Sequence, residues 1–293
     1  MKVNWTNPYK NKGSFWLKGN LHTHTNKSPC GRVEINRVFE LFAKKGFDFL
    51  AISDHWLIFD QATLHKDLII LPGIEVDIKG KKHKCIINTS KENIVYKKSL
   101  SHQVLIDKNI KRGAVVTLNH PDWQEREHYT IDELKKYRNF TGIEIFNAVI
   151  EHLAGSPLST AKWDRLLSSG HRCLGFASQD FHFECDLSET AIVVNVKQKT
   201  AKGILRSIEE GNFYSFNGVY ITEIKRTEDT ISVKTRNAGL IRFIGFYGTT
   251  IKKVYARSAK LTFSRKDPRF QYIRVECLGS AGKISWTQPF FRE

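Results

Sequence analysis

Across the first two hundred residues, short apolar runs of β character alternate with amphipathic stretches of helical period. That alternation limits the chain to a few architectures. "SFWLKGNL" reads as a strand, and "EINRVFELFAKKG" puts Ile35, Val38, Phe39 and Phe42 on one helical face before stopping at Gly46. "FDFLAIS" and "DLIILPG" follow as buried strands, then "KCIINTS", a helix around 104–110 and the strand "AVVTL". A Thr130-x-x-Glu133 capping-box pattern opens the next helix. "GIEIFN", the helix "STAKWDRLLSSG", the strands "CLGFAS" and "ETAIVVNV", and the helix "AKGILRSIEEG" complete the series. Strands separated by helices predict an α/β fold of parallel βα units, as a barrel or an open sheet. From Val219 onward only short strands and turns are legible, which predicts a small all-β region packed on the first. The expected division is 1–215 and 216–293.

Residues able to bind metal stand directly after the strands. His22 and His24 follow the first; Asp54 and His55 follow "FLAIS"; Glu75 follows "LIILPGI"; His83 begins "HKCIIN". Asn119 and His120 follow "AVVTL", Asn147 ends "GIEIFN", and Asp180 and His182 follow "CLGFAS". In a (β/α) barrel the carboxyl ends of the strands converge on one face, so these residues become neighbours. Singly, "SDH" and "NHP" read equally well as caps or turns. Together, imidazoles and carboxylates form the donor set of a divalent-metal site. The i, i+2 spacing of His22 and His24, and of Asp180 and His182, aims each pair to one side of an extended segment.

In order and spacing, "NLHTHTNKS", "GFDFLAISDH", "LPGIEVDI", "NHPDW" and "FASQDFH" resemble the polymerase and histidinol phosphatase (PHP) family of metal-dependent hydrolases. The opening, and the tail "YIRVECLGSAGKISWTQPFF", look closest to the carbaryl hydrolase-like branch. The resemblance implies a distorted (β/α)7 barrel, a small all-β C-terminal region, and two or three Mn, Fe or Zn ions. It implies that His22, His24 and Asp180 hold one ion, that Glu75 bridges it to a second held by His83 and His120, and that His55 and His182 bind a third. Asp54 is then expected to orient a histidine. The chain departs from the family at "SPCG", where a carboxylate is common. Cys30 there is either a ligand, since a metal deprotonates a nearby thiol, or a small buried residue.

The resulting expectation is metal-assisted hydrolysis, first of a phosphate ester, with Glu75 and Asp180 holding the ions and His182 or His128 protonating the leaving group. The alternatives are a carboxylic ester or carbamate hydrolase on the same site, a nuclease, and a nucleic-acid-binding protein on an inactive barrel. No Ser-His-Asp pattern and no glycine-rich phosphate loop offers other chemistry. Net charge separates these readings only in part: it is +16, and from Val219 to Glu293 fifteen Lys and Arg stand against six Asp and Glu. This favours a phosphorylated or other anionic small molecule. Nucleic acid is the other anionic partner, through Lys252-Lys253, Arg265-Lys266 and the aromatics Tyr247, Tyr255, Phe263 and Tyr272, although strand alternation more readily makes such aromatics core. Arg126, His128, Glu151 and His152 lie in loops that can line a pocket but read more simply as exposed. No run is long enough to span a membrane, the N-terminus lacks a secretory pattern, and five scattered cysteines without a CxxC pair suit a reducing, cytoplasmic setting.

Overall fold

The computed structural model describes residues 4–11, 13–60, 62–78, 80–124, 128–267 and 270–293. Strands β1 (Phe15–Asn20), β2 (Phe49–Ile52), β3 (Thr63–His65), β4 (Leu68–Ile78), β5 (Lys81–Ile87) and β6 (Val115–Leu118) come first. They are followed by β7 (Gly142–Asn147), β8 (Leu174–Ser178), β9 (Ala191–Val196) and β10 (Phe213–Asn217). Five helices are interspersed among these described residues: α1 (Ile35–Lys44), α2 (His102–Ile110), α3 (Ile131–Lys136), α4 (Thr160–Ser168) and α5 (Ala201–Glu209). The remainder is β11 (Ile221–Arg226), β12 (Thr230–Thr235), β13 (Leu240–Ile244), β14 (Thr250–Val254), β15 (Ser258–Thr262), β16 (Tyr272–Leu278), β17 (Ile284–Thr287) and β18 (Phe290–Phe291).

Local chemistry accounts for the helices. Val38, Phe39 and Phe42 are buried on the inner face of α1, as their spacing requires. Thr130 and Glu133 satisfy each other's backbone N–H groups at the start of α3, a complete capping box.

The main sheet runs β14-β13-β16-β17-β10-β9-β1-β2-β4-β5-β6-β7-β8, and β11-β12-β15 form a second. Pairs β1/β2, β2/β4, β6/β7 and β7/β8 are parallel. β4/β5 and β5/β6 are antiparallel, so the expected parallel repeat is interrupted there. The reason is local. β4 turns straight back into β5 with no helix between them, and only an antiparallel pair can be joined so tightly. Gly80 takes a left-handed φ of +69°, and its N–H is held by Asp77 Oδ1 at 2.6 Å.

Beyond β1 and β8 the backbone ends meet. His24 N–H donates to the Phe181 carbonyl at 2.9 Å, and Phe181 N–H to the His22 carbonyl at 3.4 Å. The first and last strands of the β1-to-β8 run thus deliver their side chains to one place.

The strands after β10 continue the main sheet, because β17 pairs antiparallel with β10. Side chains add a second anchor. Arg274 of β16, 1% exposed, binds Asp164 of α4 through Nε (2.8 Å) and Nη2 (2.7 Å) and Glu276 through Nη1 (2.7 Å). Tyr272 also donates to Asp164 at 2.8 Å. Removing one member strands buried charge, so Arg274→Met should cost about 3–5 kcal/mol in urea unfolding. A loss below about 1 kcal/mol would mean that the two carboxylates are satisfied without it. Of the four aromatics read as a possible binding face, Phe263 and Tyr272 are core, whereas Tyr247 and Tyr255 are 58% and 75% exposed. No helix among the described residues is long and apolar enough to cross a membrane.

Candidate metal centre

Glu75, on β4, is 1% exposed and sits among five imidazoles. Its Oε1 lies 3.2 Å from His22 Nε2, 3.4 Å from His83 Nδ1 and 3.6 Å from His120 Nε2. Its Oε2 lies 3.4 Å from His24 Nε2 and 3.3 Å from His55 Nε2. The two oxygens therefore divide the histidines between them. Asn119, from the end of β6, donates to Oε1 at 2.6 Å and fixes the carboxylate's rotation.

Asp180 closes the other side. Its Oδ1 is 3.0 Å from His22 Nε2, 3.4 Å from His24 Nε2 and 3.7 Å from His182 Nδ1. Asp180 and His120 both adopt left-handed backbone, φ +55° and +32°, a conformation costly for residues with a Cβ. Such strain persists where the surroundings over-determine it, and here both residues bring their side chains to Glu75 and the histidine cluster. Asn147 supports this arrangement by donating to Asp180 Oδ2 at 3.2 Å.

Sequence reasoning missed Glu144, which decides the chemistry of His22. Its Oε1 takes His22 Nδ1 at 2.8 Å and the Ser178 hydroxyl; its Oε2 takes His120 N–H at 2.8 Å and Asn147 Nδ2 at 2.9 Å. Four donors leave it ionised: burial opposes its charge, but His22 and His120 bring the carboxyl below its usual range. An anion at Nδ1 places one proton there, so Nε2, facing Asp180, Glu75 and, at 3.2 Å, His24 Nε2, is the His22 nitrogen left to take a second proton or, in its place, a cation. The available signal was a charged residue in the middle of the buried run "GIEIF".

Acceptors this close repel unless positive charge lies among them. Protons supply part of it. Against the effect of burial, Asp180 and Glu75 raise His24 to about 9 and, with Glu144, hold His22 well above its ordinary value. Burial likewise opposes charge on Glu75, but His22 and His83 hold it well below the carboxylate range. A cation placed between these atoms does the same work, so the donor set fits divalent metal. His22, His24 and Asp180 offer donor atoms within 4.8 Å of one another, as do His55, Glu75 and His83, and also His22, Glu75 and Cys85.

Other expectations need correction. Asp54 orients no ring: its oxygens accept the Thr25 N–H and hydroxyl, both at 2.7 Å, and so pin the segment after His24. His128 is buried against His83 and His120, not exposed in a loop. Its Nε2 accepts the His83 N–H at 3.0 Å, and burial together with His120 and His83 pushes its pKa down to about 2. It is therefore no proton donor near neutrality. Glu151 and His152 are exposed, and Arg126 lies outside the described residues. Cys85, unremarked in the sequence, lies at the base of the centre, where its sulfur accepts from Asn119 at 3.1 Å.

No family model matches the chain, and neither does any curated protein. Solved structures do. One similar structure is a two-domain protein containing a predicted PHP-like metal-dependent phosphoesterase from Bacteroides vulgatus. It is 16% identical over 99% of this chain and 89% of its own, with a TM-score of 0.52. Another is the lesion-specific endonuclease PfuEndoQ from Pyrococcus furiosus, 16% identical over 67% of this chain, with a TM-score of 0.50. An Endonuclease Q complex with a duplex carrying an abasic lesion is 13% identical over 67% of this chain, with a TM-score of 0.51. The chain spans just over half of these endonucleases, 56% and 57% of their lengths. At such identities the likeness is one of fold.

Proposed function

We propose that the chain is a metal-dependent phosphoesterase of the PHP kind, with β1, β2, β4, β5, β6, β7 and β8 as a distorted seven-stranded barrel. The observation that carries this reading is the single buried carboxylate of Glu75 within 3.6 Å of ring nitrogens from five histidines. His22, His24 and Asp180 would hold one divalent ion, and His83 and His120 a second, with Glu75 shared between them. His55 and His182 lie on the side where a third would sit. Bound there, such ions supply a water of lowered pKa and neutralise charge on phosphoryl oxygens.

The protein's own groups do the rest. Glu144 holds His22 in the tautomer that presents Nε2, and Asn119 and Asn147 lock the two ligand carboxylates. His182 is left to move a proton. Its Nδ1 donates to the Asp180 carbonyl at 2.6 Å, which leaves Nε2 as the nitrogen that can carry the exchangeable proton, on a ring 17% exposed at the edge of the centre. Burial lowers its basicity, but Asp180 raises it above the ordinary value, which suits protonation of a leaving oxygen.

The test is hydrolysis of p-nitrophenyl phosphate, bis-p-nitrophenyl phosphate and a naphthyl ester by protein loaded with Mn, Fe(II) or Zn. Phosphate ester cleavage that a chelator removes and added ion restores is the expected result. Cleavage of the naphthyl ester alone would overturn the phosphoesterase reading in favour of a carboxylic ester or carbamate hydrolase. The carbaryl hydrolase-like branch suggested by the tail is a description that none of the structures reported above carries. Because two of those structures are endonucleases, one of them with a duplex carrying an abasic lesion, such a duplex belongs in the same assay. Its cleavage would extend the substrate class to nucleic acid, with the exposed Tyr247 and Tyr255 as candidate stacking residues.

A further inference from the structure

The loop between His24 and α1 is held from three sides. Asp54 grips Thr25 at its start. The Ser28 hydroxyl stands between two ligand histidines, 3.1 Å from His24 Nδ1 and 2.8 Å from the His55 N–H it accepts. Arg32 N–H donates to the His182 carbonyl at 3.0 Å. At Gly31 the backbone passes so close that a Cβ would lie 2.1 Å from the Thr25 carbonyl oxygen. A loop fixed this tightly sets its one thiol against the rings. Cys30 Sγ, His24 and His55 offer donor atoms within 4.8 Å of one another. The thiol is half-buried and within hydrogen-bond reach of the His182 ring.

We propose that Cys30 is a metal ligand, its thiolate joining His55, beside the ion that His24 helps to hold, in a sulfur-containing site for a thiophilic divalent ion such as Zn²⁺ or Fe²⁺. The inference rests on the metal reading above. It makes the centre chemically uneven. One side, around His22, His24 and Asp180, offers nitrogen and oxygen; the other substitutes sulfur for an oxygen ligand of its own, which selects softer ions. Binding releases the Cys30 proton to water, leaving the thiolate on the ion.

Cobalt(II) titration of the metal-free, full-length protein tests the assignment, because thiolate ligation produces a near-ultraviolet sulfur-to-cobalt charge-transfer band. The band is expected in the wild type and in Cys85→Ala, and is expected to vanish in Cys30→Ala. In Cys30→Asp, where oxygen replaces sulfur, the cobalt should remain and the band should not. Alkylation of Cys30 by iodoacetamide, blocked by Zn²⁺ in the wild type, gives the same answer without a variant. Cobalt uptake without a band, a band that survives in Cys30→Ala, or alkylation indifferent to Zn²⁺ would each overturn the role of Cys30 and leave the metal centre standing. Failure to take up cobalt at all would overturn the centre itself.

Discussion

Glu75→Gln should yield a folded protein that no longer retains its metals and loses turnover by about 10³-fold, the several kcal/mol that metal assistance supplies. The substitution keeps the side chain's volume, so the buried strand around it has no packing reason to unfold. It replaces one carboxylate oxygen with an N–H donor and removes the charge that both groups of histidines share. Oε1 serves His22, His83 and His120, whereas Oε2 serves His24 and His55. Either amide orientation therefore deprives one group of its oxygen. Metal content by mass spectrometry, far-ultraviolet circular dichroism and kcat are the three readouts. A folded Glu75→Gln protein with full metal content and full turnover would remove Glu75 from the centre.

Glu144→Gln is expected to weaken metal binding by roughly 10–100-fold, although Glu144 is assigned no ion. All four of its hydrogen bonds are accepted, two on each oxygen. An amide can accept on one side only, so its NH₂ must face either His22 Nδ1 and Ser178 or the His120 N–H and Asn147. The first arrangement favours the opposite tautomer of His22 and puts a proton on the nitrogen that should bind metal. The second pushes against backbone. Leaving buried donors unpaired should also cost about 1–3 kcal/mol of stability. Competition with a metallochromic chelator measures the affinity and urea unfolding the stability. Unchanged affinity would show that Glu144 does not set the tautomer of His22.

The sequence was most informative where period and chemistry coincide. The alternation in "HTH" pointed His22 and His24 the same way, and the apolar spacing of Val38, Phe39 and Phe42 placed α1; Asp180 and His182 also reach the cluster, but the left-handed backbone at Asp180 departs from the extended alternation read in "QDFH". His83 was reached from strand context alone, and the structure does bring it to Glu75. The β4–β5 reversal was not legible, because "LPGIEVDI" and "KCIIN" read alike as strands and nothing in either states its direction. Glu144 was overlooked because a lone carboxylate in an apolar run shows its partners only in three dimensions. His128 was misplaced for the reverse reason. A histidine in a polar loop looks exposed until the fold closes His83 and His120 over it.

The backbone junction between His22–His24 and Phe181 also has a bearing on synthesis. His22 and His24 leave the ribosome more than 150 residues ahead of Asp180 and His182. A partly made chain can therefore offer nascent histidines to stray metal but cannot enclose it. Completing the N,O pocket requires closing a very long loop, an entropic cost that grows only slowly with length and that a bound ion offsets. Metal capture is thus expected to coincide with the arrival of β8, making the ion a clasp on the β1-to-β8 run before β9 to β18 are added.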